Sequence, residues 1–256
     1  MLYTAAVQLE HDREITILRM QAGKANAMNP ELVRRLAALC EEVEASDARA
    51  LVITGDGRSF SAGLALPQLI ELDRAAMRAF MAEFKRAMLR VFALPMPVVA
   101  AIDGHAIAGG CVLASQCDVR IAADRPLKIG VNEVQLGIGL PAVVIETLRL
   151  ILPAPSLVPV ALAGGLFEPR EAMAVALIDE VVATEQLLAR ACEWARELAA
   201  VPRAAYAQVK LAWRRPAIEA IERSDDALAE QWLDTWYSTE AQTRLRAIVE
   251  RLRAKG

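Results

Sequence analysis

The stretch Pro97–Ala122 (PVVAAIDGHAIAGGCVLASQCDVRIA) restricts the possible folds of this chain more than any other segment. A β-branched run over Pro97–Ile102 breaks at Asp103-Gly104 and resumes at His105-Ala106-Ile107. Gly109-Gly110 then opens an apolar segment of helical length that reaches Cys117. Paired glycines at a strand-to-helix junction let a ligand approach backbone N–H groups at the positive end of the helix dipole. The sequence therefore predicts an α/β chain with a site for an oxyanion at this junction.

Length and charge restrict the class of protein further. A chain of 256 residues buries roughly three-quarters of its extended surface, so we expect one large domain, or one domain with a helical appendage. The net charge of −3 gives no general attraction to nucleic acid or to an anionic membrane. The cysteines lack C-x-x-C spacing, which favours buried thiols over disulfides and predicts no metal site.

The N-terminal residues MLYTAAVQLE alternate as in a strand and do not resemble a cationic leader peptide. No apolar run reaches the roughly 18 residues that a membrane span requires. We therefore expect a cytoplasmic protein with neither nucleic acid nor membrane as partner.

Hydrophobic periodicity predicts strands and helices in alternation. The predicted strands are Tyr3–Glu10, Glu14–Met20, Ala50–Thr54, Pro97–Ile102, Val119–Ala122 and Leu177–Val182. Helices are predicted after the N-cap Asn29, over 68–93 with a break near Asp73, from near Pro141, over 185–199, and from 203 almost to the end. This order predicts an α/β core over residues 1–200 and a C-terminal helical subdomain over 201–256, whose tryptophans pack on the core or on a neighbouring subunit.

Four segments resemble the crotonase family, also called the enoyl-CoA hydratase/isomerase superfamily. They are Gly23–Asn29 (GKANAMN), Ser59–Leu64 (SFSAGL), Pro97–Ala122 and Asn132–Ile138 (NEVQLGI), and their order and spacing match the family. The resemblance implies a spiral of β-β-α units and an assembly of trimers or dimers of trimers. It also implies an acyl-CoA thioester as substrate and no separate cofactor, because coenzyme A arrives as part of the substrate.

The resemblance implies roles for individual residues as well. The backbone N–H groups of Leu64 and Gly109 are expected to hold the thioester carbonyl oxygen as it becomes an enolate, since preorganised donors act where charge develops. Positions expected to contact the acyl group or coenzyme A are Lys24, Ala25, Ala62, Gly63, Gly110, Val112 and Leu136. Several also have purely structural interpretations: Gly63 as a turn, Gly109-Gly110 as close helix packing, and Lys24 as an exposed loop lysine.

Glu133 is the expected proton carrier. Hydratases of the family place two glutamates beside the substrate, and here the first position is Val112 while the second is Glu133. A single carboxylate is suited to moving a proton from C2 to C4 of a 3-enoyl thioester. The segment 132–138 is also similar to the Δ3,Δ2-enoyl-CoA isomerase branch, and Pro141–Val144 replaces the glycine-rich stretch of typical hydratases. Isomerisation is therefore the expected activity, with burial raising the pKa of Glu133.

Other functions stay open. A hydratase, or another crotonase-type lyase or thioesterase, would need a second acid, for which Asp103 and Glu146 are candidates. A non-catalytic acyl-CoA binder or an RNA-binding paralogue is a different class, and the mildly acidic charge argues against RNA. Ala65 stands where the family commonly has an acidic residue. His105 is expected to be structural, and Asp118 with Arg120 to form a buried polar pair or turn anchors.

Overall fold

Nine strands form two sheets in the part of the chain that the computed structural model describes, residues 7–23, 25–224 and 226–254. In chain order they are β1 (Val7–Asp12), β2 (Ile15–Met20), β3 (Ala50–Thr54), β4 (Ser59–Ser61), β5 (Val98–Ile102), β6 (His105–Ile107), β7 (Val119–Ala123), β8 (Ile129–Gly130) and β9 (Glu180–Val182). The larger sheet has the order β1-β2-β3-β5-β7-β9, and the smaller has the order β4-β6-β8. Only β1 and β2 pair antiparallel; every other pair is parallel.

Helices connect and cover these strands. In chain order the α-helices are α1 (Pro30–Glu44), α2 (Leu66–Leu69), α3 (Arg74–Phe92), α4 (Gly109–Ser115), α5 (Ala142–Ile151), α6 (Ala154–Leu157), α7 (Pro169–Ala174), α8 (Leu187–Ala199), α9 (Arg203–Glu222), α10 (Asp226–Trp236) and α11 (Thr239–Ala254). One 3-10 turn covers Glu133–Leu136 and a second covers Thr184–Gln186, while Val158–Leu162 forms a π-helical turn. Asn29 caps α1 through its side chain, as predicted, and at the predicted break near Asp73 the side chain of Asp73 caps α3.

Three successive β-β-α units build the core. Each unit places its first strand in the larger sheet and its second in the smaller one: β3, β4 and α3; then β5, β6 and α4; then β7, β8 and α5. The central strands β3, β5 and β7 are buried along their whole length, as expected for parallel strands covered on both faces. The predicted α/β spiral is confirmed. In this arrangement β6 pairs with β4, and α4 packs on β4.

Two strand predictions need correction. The predicted strand Leu177–Val182 is shorter, because Ala176 turns the chain with a φ of 61° and only Glu180–Val182 pair with β7. The predicted turn at His11-Asp12-Arg13 begins later, since His11 and Asp12 still pair with Thr16 and Ile15. The first residues of the predicted strand Tyr3–Glu10 lie outside the described residues.

The C-terminal helices pack back onto the spiral. Helix α9 contacts α5, α10 contacts α3, and α11 contacts α2. Trp232 and Trp236 are buried with their rings stacked at 5.5 Å, whereas Trp213 on α9 is 61% exposed. Two of the three tail tryptophans therefore pack on the chain's own core, and the division at residue 200 stays a prediction. No helix of the described residues has both the length and the apolar character needed to cross a bilayer.

Candidate active site

The N-terminus of α4 packs directly on the loop that follows β4. A Cβ atom on Gly110 would lie 2.0 Å from the Ser61 carbonyl oxygen, so no larger residue fits there. Gly63 adopts a φ of +86°, and its Cβ would lie 2.9 Å from that of Ala108. Ala108 itself has a φ of 50°, a conformation that costs an L-residue roughly 1–3 kcal/mol. The strained turn and the two glycines bring the backbones at Leu64 and Gly109 together.

The N–H groups of Leu64 and Gly109 have no acceptor within the described parts of the chain. Met28 forms a parallel bridge with Leu64, in which its N–H donates to Gly63 O at 2.7 Å and its carbonyl accepts from Ala65 N at 3.0 Å. This pattern turns the Leu64 N–H away from Met28. Gly109 is the first residue of α4, so its N–H has no intrahelical acceptor.

A cavity of about 190 Å³ lies beside these two residues. It brings together Ala62, Leu64, Gly109, Val112, Glu133 and Leu136, which the sequence predicts as site residues. The remaining wall is almost entirely apolar: Leu66, Met81, Phe84, Ile107, Ala108, Ile138, Pro141, Val144, Trp232, Trp236 and Ile248, with Asn132 as the one further polar residue.

Of the described residues that line this cavity, Glu133 alone has a side chain that gains or loses a proton near neutral pH. It begins the 3-10 turn, and its Oε2 atom is buried without a hydrogen-bond partner. Burial raises the pKa of Glu133 from 4.5 to about 7, because no cation compensates the charged form. A carboxyl of this kind exchanges protons readily near neutral pH.

Comparison with known proteins places this arrangement in a family. Residues 10–255 match the family model described as Enoyl-CoA hydratase/isomerase. This chain belongs to the enoyl-CoA hydratase/isomerase family. The chain is 28% identical over 242 residues to human enoyl-CoA delta isomerase 1, mitochondrial, covering 93% of this chain and 80% of the relative. It is 30% identical over 221 residues to a probable enoyl-CoA hydratase of Mycolicibacterium paratuberculosis, covering 86% and 85%.

Solved structures of the family have the same fold. The crystal structure of human mitochondrial delta3-delta2-enoyl-CoA isomerase superposes with a TM-score of 0.92 at 28% identity, over 98% of this chain and 99% of that one. The apo structure of an Mtb enoyl-CoA isomerase gives 0.82 at 33% identity, over 88% and 98%. The fold is thus the crotonase fold, and relatives at this identity carry both isomerase and hydratase names.

Three residues predicted for this family's substrate site lie beside the cavity without lining it. Gly63 and Gly110 fix the close contact between the loop after β4 and α4, and Ala25 accepts a hydrogen bond from Ala62 N through its carbonyl at 2.9 Å. Asn26, next to Ala25, is fully buried and donates from Nδ2 to Ser59 O at 2.9 Å. This loop therefore follows β4 closely. Lys24 lies outside the described residues.

The candidates for a second acid do not line the cavity. Asp103 accepts hydrogen bonds from Gly55 N and Gly57 N, and burial raises its pKa. Glu146 accepts a hydrogen bond from Arg149 at 2.8 Å on the surface of α5. Both carboxylates have local partners, and the cavity wall at Val112 is apolar.

The remaining polar predictions are resolved by their hydrogen bonds. His105 Nδ1 accepts from Lys128 N at 3.0 Å, which confirms a structural histidine. Asp118 and Arg120 do not pair with each other: Asp118 binds Lys210 and Arg214, and Arg120 binds Asp179 at 2.7 Å. The pairing alternative is wrong because their partners lie far away in sequence. The other alternative, turn anchors, agrees with the hydrogen bonds from Val98 N to Asp118 and from Arg120 to Cys117 O. Ala65 supplies no side-chain cap to α2, which begins without one.

Sequence reasoning missed the wall that α3 and α10 contribute. Met81, Phe84, Trp232 and Trp236 line the cavity from segments with no family motif. The spacing of Trp232 and Trp236 does place them on one helix face, which was the available signal. Their partner surface comes from distant parts of the chain. Among the described residues, no cluster of three or more metal-ligating side chains occurs.

Proposed function

We propose that this protein is a Δ3,Δ2-enoyl-CoA isomerase, which moves the double bond of a 3-enoyl-CoA thioester into conjugation. The observation that carries the proposal is that Glu133 is the one carboxylate among the described residues that line the cavity, whereas Val112 in the same lining is apolar. Adding water across a double bond needs one group to activate water and another to manage the proton at C2. Moving a proton along one carbon chain needs one carboxylate alone.

In the proposed reaction Glu133 removes a proton from C2. The electron pair of that C–H bond forms a C1–C2 double bond, and the thioester oxygen becomes an enolate conjugated with the C3–C4 double bond. Glu133 then returns the proton to C4, which leaves a double bond between C2 and C3. No water, oxidant or metal enters the balance, and the carboxylate is regenerated.

The N–H groups of Leu64 and Gly109 are the proposed donors to the enolate oxygen. Neither N–H has an acceptor among the described residues, and both residues line the cavity with Glu133. Donors fixed by backbone packing need no rearrangement as charge develops, and loss of one such donor typically costs about 3–4 kcal/mol of barrier. Val112 and Leu136 would pack on the acyl chain, and the loop with Ala25 and Ala62 would contact coenzyme A.

Assays with paired substrates test the proposal. Purified protein is given a 3-enoyl-CoA, with formation of the conjugated thioester followed by its ultraviolet absorbance, and separately a 2-enoyl-CoA, with loss of that absorbance. We expect isomerisation without hydration. Clear hydration without isomerisation would instead establish the alternative, a hydratase with an unconventional second acid. Tight acyl-CoA binding without turnover of either substrate would identify a non-catalytic binder.

A homotrimer or a dimer of trimers is the proposed assembly. Val158 and Leu162 are 60% and 74% exposed, beside an apolar groove formed by Leu140, Ile145 and Leu157. Apolar side chains grouped in this way favour burial against another copy. Light scattering on a size-exclusion column tests this, and a protomer mass would contradict it. The cytoplasmic location and the lack of a separate cofactor stay predictions.

A further inference from the structure

A second cavity of about 240 Å³ lies next to the active-site cavity, between α3, α5 and α10. Its own lining is mostly apolar, with Ala82, Ala142, Val143, Leu228, Ala229 and Leu233, and its polar residues are Arg78, Lys85 and Ser224. Four residues line both cavities: Met81, Phe84, Pro141 and Trp232. The two spaces are thus neighbours across these four residues, which we call the shared wall.

The active-site cavity alone is small for an acyl chain. An apolar cavity of roughly 150 Å³ holds benzene, with six carbons. By that scale about 190 Å³ holds roughly eight carbons, and the additional 240 Å³ of the second cavity brings the capacity to roughly 16. A chain longer than about eight carbons therefore needs space beyond the first cavity.

We propose that the two cavities form one acyl channel and that the substrates include long-chain 3-enoyl-CoA thioesters, with the distal half of the chain in the second cavity. This inference rests on the proposed isomerase function. Each methylene that moves from water into an apolar site adds roughly fourfold in affinity, so a continuous channel strongly favours long chains.

Met81 is the most adaptable part of the shared wall. Pro141 is fixed by its ring and Trp232 by its Nε1 bond to Gly139 O at 2.9 Å, whereas the Met81 side chain is unbranched and half-buried. A change of its rotamer opens a path from Val112 and Leu136 in the first cavity toward Ala82 and Leu233 in the second. At the outer end Leu228 is 51% exposed, so the channel reaches solvent there.

The test is a chain-length series with a matched pair of variants. The ratio of kcat/KM for a C16 3-enoyl-CoA to that for a C8 3-enoyl-CoA is measured for the wild type, Ala82→Trp and Ala79→Trp. Both alanines are exposed on α3, but only Ala82 lines the second cavity. We expect the ratio to fall at least tenfold in Ala82→Trp and to stay unchanged in Ala79→Trp. Met81→Ala, which thins the shared wall, should raise it several-fold.

Three outcomes would overturn the channel. Wild-type turnover of C6 and C8 substrates with rejection of C16 would sink it while leaving the isomerase proposal intact. An equal drop in both tryptophan variants would mean that bulk on α3, rather than the cavity, matters. A change of assembly mass confined to Ala82→Trp would identify the second cavity as a contact between copies. Failure to isomerise any chain length would instead reject the proposed function itself.

Discussion

Glu133 and Asp118 are both interior carboxylates, and the difference between them lies in their partners. Asp118 follows α4 and receives Lys210 Nζ at 2.7 Å, Arg214 at 2.8 Å and Val98 N–H at 2.8 Å. Glu133 lines the cavity beside the other end of α4, and its Oε2 receives no hydrogen bond. Burial alone therefore does not mark a carboxylate for chemistry; burial without a cation does, since it raises the pKa toward neutrality.

The cations around Asp118 also explain why that carboxylate is structural. Arg214 donates to Phe92 O at 2.6 Å and to Gln116 O at 3.1 Å, and its guanidinium lies 4.3 Å from the centre of the Phe92 ring. These contacts join α9 to the C-terminal ends of α3 and α4. Helix α4 is thus anchored by a buried ion cluster at its C-terminus, while the Gly109 N–H at its N-terminus lies beside the cavity.

The largest effect is expected from Glu133→Gln. The amide keeps the shape of the side chain and removes the base, so kcat for 3-enoyl-CoA isomerisation should fall about a thousandfold. Binding of a saturated acyl-CoA, followed by calorimetry, should stay nearly unchanged. Activity within tenfold of the wild type would show that another group carries the proton, and the comparison with Asp118 would lose its basis.

Asp118→Asn should act on stability instead. Removal of the carboxylate leaves Lys210 and Arg214 buried without their counter-ion, which should lower the free energy of unfolding by about 3–5 kcal/mol. Asp124→Asn is the matched control, because its ion pair with Arg170 is exposed and should be worth less than about 1 kcal/mol. Denaturant unfolding measures both. Equal effects in the two variants would contradict the contrast between a buried ion cluster and a surface pair.

The pH dependence of activity and of stability should report on Glu133. With a pKa of about 7 for Glu133, kcat/KM should fall tenfold per pH unit below 7, since only the carboxylate accepts the C2 proton. Stability should respond in the opposite sense. Between 4.5 and about 7 the native state binds more protons than the unfolded chain, so the wild type loses stability as pH rises through that window.

The Glu133→Gln variant lacks that titration and serves as the reference. The stability of the wild type relative to this variant should drop by up to about 3 kcal/mol between pH 4 and pH 8. Urea unfolding at the two pH values gives the difference. A constant difference would mean that Glu133 titrates normally, and the base would then need another explanation.

Local signals predicted the backbone around the site, and long-range packing set the rest. Asn29 and Gly109 mark helix starts through their immediate neighbours, so α1 and α4 could be placed from sequence, whereas α3 was predicted only as part of a helical region over 68–93 with a break near Asp73. The family motifs likewise predicted that Glu133 and Leu64 belong to one site, and both residues line the same cavity. The partners of Asp118 could not be read in this way, because Lys210 lies 92 residues further along the chain. Trp232 and Trp236 line the cavity because α10 packs on α3. The hydrophobic periodicity of a helix does not predict which other helix it packs against.

The smallest expected effect tests the comparison most strictly. Glu146→Gln makes the same chemical change as Glu133→Gln, but Glu146 pairs with Arg149 and does not line the cavity. Isomerisation should stay within twofold of the wild type, and the free energy of unfolding within about 0.5 kcal/mol, as for other surface pairs. A large loss of isomerisation would reveal a second acid that reaches the acyl group when substrate binds. Glu146 would then be the second acid that a hydratase needs. The apolar Val112 would no longer be a reason to favour isomerisation over hydration.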